Sequence, residues 1–254
     1  MSDQLYHECH EVIAQGRAIF EDLQQWGFET VQPLEIDSKR EAATPVIAES
    51  AAVFYVKEAV APVVGKVSQP MSLANLQANL VNCDRCTLCQ QRTNIVFGGG
   101  NPHAQVVLVG EAPGREEDIQ GVPFVGEAGQ LLEKILLAMN LSREVVYICN
   151  VIKCRPPGNR DPHHDEISAC EPFLKQQLAL IKPEIIITLG RFAAQTLLKT
   201  SIPIGKLRGQ WREYEGIALM PTFHPAYLLR NQSGKRPVWE DMKQVMHRLE
   251  NQAK

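Results

Sequence analysis

From residue 105 onward, short apolar runs alternate with stretches of helical spacing, and this alternation constrains the fold more than any other feature of the chain. Four runs, QVVLVG (105–110), VVYICN (145–150), EIIITLG (184–190) and IALMPTFHP (217–225), have the length and β-branched content of buried strands. Between them, Gly129 to Met139, Asp165 to Ile181 and Arg191 to Leu198 carry apolar residues at helical spacing, and Val238 to Leu249 follows the last run. Strands that are apolar along their whole length need cover on both faces. The expected fold is therefore α/β, a three-layer α/β/α arrangement around a mostly parallel four-stranded central sheet. In such folds ligands sit at the carboxyl ends of the strands. Here those ends run into GEAPG, ICNVIKC, LGR and PTFHPAY, where polar and special-backbone residues gather.

The chain's overall charge of -3 conceals two unlike parts. Residues 1–75 hold 11 acidic and 5 basic residues, a net of -6, whereas residues 76–254 hold 18 acidic and 21 basic, a net of +3. Within residues 1–30, Leu5, Cys9, Val12, Ile13, Ile19, Phe20, Leu23 and Trp26 recur at helical spacing, so this segment reads as an N-terminal amphipathic helix ended by Gly27. Residues 31–75 hold four prolines, many alanines and no sustained period, and read as a long flexible Pro/Ala-rich linker. Residues 76–254 form the expected folded domain. The start, MSDQLYHECHEV, lacks the basic end and apolar run of a signal peptide, and no stretch reaches the roughly 18 apolar residues that span a bilayer. The expectation is a soluble, cytoplasmic protein that contacts no membrane.

In a reducing compartment, an odd total of seven cysteines points to metal ligands or free thiols rather than disulfides. Cys83 and Cys86 form a C-x2-C pair, and Cys154 and Cys170 lie far downstream. Four thiolates suit tetrahedral zinc or an iron–sulfur cluster. Cys89, three residues past Cys86, is a rival ligand, while Cys149 in a strand run and Cys9 on the helical stripe read as packing residues. The segment GEAPGREEDIQGVPFVGEAGQLL (110–132) has a sharp turn at Gly110, Pro113 and Gly114, but neither the lysine and hydroxyl of a P-loop nor dinucleotide-binding glycine spacing.

Taken together, GEAPG with PFVGEAGQLL, then YICNVIKCRPPGNRDP, then PTFHPAYLLRN, in that order and with the four cysteines, resemble the iron–sulfur uracil-DNA glycosylases of family 4. The resemblance covers most of residues 76–254. It implies an enzyme that flips uracil out of DNA and hydrolyses its N-glycosidic bond to leave an abasic site, initiating base excision repair. It also implies a [4Fe-4S] cluster on Cys83, Cys86, Cys154 and Cys170, with Cys89 outside the ligand set.

Cleaving that bond needs an anion near C1′ and its attacking water, a donor to uracil O2, a reader of the base edge and an aromatic platform. By the resemblance, Glu111 is the carboxylate that activates water and steadies the cationic sugar, and His224 donates to the O2 oxyanion. Asn150 reads O4 and N3–H. Phe124 stacks on the flipped base, and the turn brings the backbone of Gly110 and Ala112 close to the substrate. Glu117 excludes the thymine methyl, with Glu116 and Asp118 as alternatives within one turn.

HPAYLLRN offers Tyr227, Leu228, Leu229 and Arg230 as a wedge into the duplex. Arg155 and Arg160, with Lys153, Lys206, Arg208, Lys235 and Arg236, are candidates for phosphate contact. The basic loop RPPGNRDPHHD is too rich in Pro and Gly to order itself, so the cluster is expected to clip it in place. The expected partner is uracil-containing DNA, single- or double-stranded, bound by a monomer in a bacterial cytoplasm at the nucleoid. Residues 1–75 are the candidate contact for a replication or repair partner. SQPMSL (68–73) is similar to bacterial sliding-clamp peptides but is short and is assigned to the linker.

Overall fold

The computed structural model describes residues 72–252. The expected N-terminal helix, the linker as far as residue 71 and Cys9 lie outside the described residues. The described chain begins with helix α1 (Leu73–Ala78), capped by the Ser72 hydroxyl, which accepts from the Asn75 N–H at 3.1 Å. Leu76 of this helix packs with Leu80, Phe97 and Phe173 in a small apolar cluster. Leu73, at the start of the same helix, packs against this cluster.

Among the described residues the sheet has six strands: β1 (Gly99–Gly100), β2 (Val106–Gly110), β3 (Tyr147–Asn150), β4 (Ile185–Leu189), β5 (Arg212–Tyr214) and β6 (Ile217–Thr222). Their order is β1-β3-β2-β4-β6-β5. The four inner strands pair parallel, in the registers Gly110↔Asn150, Leu108↔Ile187 and Ile187↔Met220. These are the four strands expected from the sequence. The two edge strands are antiparallel additions. Two glycines and a polar triplet carry none of the apolar signal by which a buried strand is recognised.

Side chains alternate across the sheet, so its two faces bury different sets. Val106, Leu108, Ile148, Ile187 and Met220 pack with Leu132, Ile135 and Leu136 of α3 (Glu127–Ala138) and with Val238, Trp239 and Met242 of the last helix (Lys235–Gln252). On the other face, Val107, Val109, Cys149, Ile186 and Leu219 pack with Leu174 and Leu178 of α4 (His164–Ile181) and Ala193 and Leu197 of α5 (Arg191–Leu198). This is the three-layer arrangement. Burying each such aliphatic side chain contributes roughly 1.5–3 kcal/mol.

Among the described residues, three further short α-helices are α2 (Arg115–Gln120), α6 (Ile204–Leu207) and α7 (Pro225–Arg230), and the last helix is α8. Asp241 of α8 is fully buried and ties this helix to the sheet. Its Oδ2 accepts from the Thr222 hydroxyl at 2.6 Å and from Arg208 Nε at 3.0 Å. No helix among the described residues is long and apolar enough to cross a membrane.

Candidate active site

A cavity of about 780 Å³ opens at the carboxyl ends of the inner strands, lined among others by Glu111, Phe124, Asn150 and His224. Each comes from a different connection. β2 and β3 end side by side, with Gly110 opposite Asn150. A β-carbon on Gly110 would fall 2.3 Å from Asn150 Oδ1 and 2.6 Å from the Phe124 ring, so only glycine lets amide and ring converge here. The parallel pairing continues past the strands, since Val151 N–H donates to Gly110 O and Ile152 N–H to Glu111 O, at 2.9 and 3.1 Å. Asn150 is buried, and its Oδ1 has no hydrogen-bond partner. A buried acceptor without a donor calls for an explanation, and an acceptor lining a cavity is one that a ligand's N–H can satisfy.

Phe124 sits in the left-handed region, at φ 54°, where a bulky side chain is strained. Two side chains hold it there, and a glycine leaves it room. Glu117 Oε1 accepts from the Val125 and Gly126 amides, both at 2.9 Å. Arg143 donates to the Phe124 carbonyl at 2.6 Å and also to that of Pro123. Gly129, in the first turn of α3, has no β-carbon to collide with the Phe124 carbonyl, which would lie 2.0 Å from one.

His224 caps α7 and stacks on Phe124, with centroids 5.6 Å apart and planes at 28°. Its Nδ1 accepts from the Ala226 N–H at 3.1 Å. That bond places the proton on Nε2, leaving a neutral N–H donor. Burial pushes the His224 pKa down to about 4, against the opposing charge of Glu117. The imidazole is therefore neutral at pH 7. Gly190, at φ 91°, makes room for this residue, because a β-carbon there would lie 2.9 Å from His224 Cβ.

Glu111 is half-buried beside an ion pair between Arg191 and Asp161, 2.8 Å apart. Burial and then the Asp161 carboxylate push its pKa up to about 7, with Arg191 acting in the opposite sense. A carboxyl poised near neutrality in a cavity is a candidate for proton or charge chemistry.

The model of the Uracil DNA glycosylase superfamily matches residues 97–243 of the chain. A Type-4 uracil-DNA glycosylase of Sulfurisphaera tokodaii is 43% identical over 183 residues, covering 68% of this chain and 83% of that protein. Another, of Thermotoga maritima, is 46% identical over 167 residues, covering 64% and 87%. The chain belongs to the uracil DNA glycosylase superfamily.

In this superfamily member, Cys83, Cys86, Cys154 and Cys170 come together from a turn after α1, the segment after β3 and α4. Each thiol's charge acts on others of the set: Cys154 feels Cys170 and Cys86, and Cys170 feels Cys86 and Cys83. Burial is the largest influence on both and raises both pKa values, that of Cys154 to about 11. Two sulfurs accept hydrogen bonds, Cys154 from Arg92 Nη1 at 3.5 Å and Cys170 from the Lys153 N–H at 3.3 Å. Among the described residues no three His, Cys, Asp or Glu side chains converge tightly enough to hold one ion. Cys89 acts on Cys86, and Cys149 is sealed in the core.

Several DNA-contact expectations need correction. Leu228 is fully buried against the core. Successive helical residues turn by about 100°, so Tyr227, Leu228 and Leu229 cannot all face outward. Tyr227 and Leu229 do, at 42% and 40% exposure, and both line the cavity with Arg230. Lys153 is wholly buried and Lys235 nearly so, and Arg208 is committed to Asp241, so none of the three is placed to grip phosphate. Asp118, an alternative to Glu117, is buried and accepts from the Thr93 and Asn94 amides instead of lining the cavity.

The 154–170 loop has fastenings of its own beyond the cysteines. Arg160 forks onto the buried Glu166 at 2.9 and 2.6 Å, Arg155 Nε donates to Asn159 at 2.6 Å, and Asp161 pairs with Arg191. Arg191, Asp161 and Arg143 were not singled out from the sequence. Arg191 stands in LGR at a strand's carboxyl end, where the fold rule concentrates sites, whereas Arg143 lies in a connection without any motif.

Proposed function

We propose that the chain excises uracil from DNA. The cavity accepts the flipped nucleotide, the N1–C1′ bond breaks, water adds to C1′, and uracil leaves to give an abasic site that opens base excision repair. The observation that carries this reading is the unpartnered Asn150 Oδ1 in a cavity shared with the Phe124 ring and the neutral His224. Uracil supplies what Asn150 lacks: its N3–H meets Oδ1, and its O4 accepts from Nδ2. Phe124, already stacked with His224, is the platform for the base.

As the bond lengthens, negative charge gathers on the pyrimidine and positive charge on the sugar. His224 Nε2–H stabilises the first at O2. The Glu111 carboxylate stabilises the second and takes a proton from the attacking water. The backbone of Gly110 and Ala112 forms the wall beside the base. Glu117 braces the Phe124 loop and, on the same cavity wall, is assigned to exclude a methyl at C5. Tyr227, Leu229 and Arg230 are assigned to enter the duplex and Arg155 to meet phosphate, whereas Arg160, forked onto Glu166, is spent on holding the 154–170 loop.

Cys83, Cys86, Cys154 and Cys170 fit a [4Fe-4S] cluster. Thiols from three segments lie close enough for their charges to act on one another, and two of their sulfurs receive N–H donors. When bound, the cluster supplies Fe–S cross-links that join the 83–86 turn and the segment after β3 to α4. Single-turnover release of uracil from a labelled oligonucleotide, compared with Glu111→Ala, tests the function. Release by the parent and a loss of two or more orders of magnitude in the variant is expected; no release by the parent refutes the proposal.

A further inference from the structure

Lys153 is wholly buried, one residue before a proposed cluster ligand and three after the proposed base reader. Its side chain folds back along its own segment, and Nζ donates to the Asn150 carbonyl at 2.7 Å and to Gln177 Oε1 at 2.6 Å. Gln177, also buried, is held in turn, its Nε2 donating to the Phe97 carbonyl at 2.9 Å and to the Tyr147 hydroxyl at 3.3 Å. The main chain of Lys153 is equally occupied. Its N–H donates to Cys170 Sγ at 3.3 Å, and its carbonyl accepts from the Val96 N–H at 2.8 Å.

Every main-chain polar group named along 150–153 thus has a partner, while the Asn150 side-chain oxygen has none. Burying an amine head group is costly unless its donors find acceptors. Here Nζ bridges two acceptors on two elements, the Asn150 carbonyl at the end of β3 and Gln177 of α4.

We infer that Lys153 is a positioning residue: by clamping the Asn150 carbonyl to Gln177 while its own amide is fastened to Cys170, it sets the angle at which the Asn150 amide meets the base. This rests on the reading of Asn150 as the group that binds uracil. It makes the 150–153 segment a strut between the cysteine cluster and the base pocket.

The test is a double-mutant cycle on the iron-loaded full chain with Asn150→Ala, Lys153→Met and the pair, reading the single-turnover rate at saturating enzyme, DNA affinity, iron per chain and thermal midpoint. Lys153→Met should keep its iron and its DNA affinity and slow uracil release by roughly 10- to 100-fold, the range typical of residues that orient a functional group. The pair should be no slower than Asn150→Ala alone. Losses that multiply, or an unchanged rate in Lys153→Met beside a slow Asn150→Ala, would overturn the inference. An unchanged rate in Asn150→Ala would instead overturn the base-reading role beneath it. If Lys153→Met loses iron or cooperative melting, Gln177→Met carries the same cycle, because it removes the second anchor of Nζ and leaves the lysine in place.

Discussion

Gly110 and Asn150 face each other at the ends of two parallel strands, so closely that a single added methyl would lie 2.3 Å from the asparagine oxygen. The same methyl would press on the Phe124 ring at 2.6 Å. Gly110→Ala should therefore displace the base reader and the platform together. The expected outcome is a fall in the uracil-release rate of roughly 100-fold, the scale of losses from angstrom-sized misplacement, with DNA affinity largely kept. Single-turnover kinetics beside a binding titration check this.

The pH profile follows from two groups. Glu111, the proposed catalytic carboxylate, has a pKa near 7, while His224 stays neutral down to about 4. Activity should fall as pH drops through about 7, with Glu111 as the group responsible. Asp161 raises the Glu111 pKa, so Asp161→Asn should move this acid limb to lower pH, and Arg191→Ala should move it to higher pH. The rate of uracil release measured from pH 5 to 9 in the three proteins decides it.

The same shift predicts a stability effect. A carboxyl whose folded pKa is raised above its ordinary value of 4.5 contributes stability that is complete below 4.5 and is lost as pH rises through about 7. Glu111→Gln should therefore melt at a higher temperature than the parent at pH 8 and at a similar temperature at pH 4. Thermal scans at the two pH values provide the comparison.

Neighbours in α7 should behave in opposite ways. Leu228 is buried in the core, so Leu228→Ala should cost roughly 2–5 kcal/mol of stability. Leu229 is 40% exposed at the cavity, so Leu229→Ala should leave stability within about 0.5 kcal/mol. It should nonetheless slow release from double-stranded more than from single-stranded uracil DNA. Denaturant melts and parallel assays on the two substrates separate these effects.

Cysteine replacements distinguish the proposed ligands from the bystander. Cys170→Ala should lower iron per chain and remove the brown colour of the purified protein, whereas Cys89→Ala should keep both. Iron and sulfide assays, with the broad absorption near roughly 400 nm characteristic of thiolate-bound clusters, test the assignment. Full iron in Cys170→Ala would contradict it.

The inner sheet was legible because its strands are apolar throughout, a pattern that only burial on both faces satisfies. Arg191 to Leu198 matches its helix residue for residue, since Gly190 and the following apolar spacing mark it. The edges were not legible, because Gly99–Gly100 and Arg212–Tyr214 pair through the backbone and carry no apolar signature. Within the site, motifs located Glu111, Asn150, Phe124 and His224, and the structure brings all four to one cavity.

Motifs did not reveal direction or commitment. Leu228 faces inward because of helical rotation, and Lys153 is spent on Asn150 and Gln177 rather than on phosphate. Such assignments depend on which groups meet across distant segments, as Arg143 meets Phe124 and Asp161 meets Arg191.

The most direct test of the central claim is to incubate the purified chain with matched oligonucleotides carrying one uracil or one thymine, followed by alkaline cleavage of abasic sites. The site described here predicts strand breaks at uracil, none at thymine, and loss of the breaks in Glu111→Ala. Intact uracil strands, or equal cleavage at thymine, would contradict it.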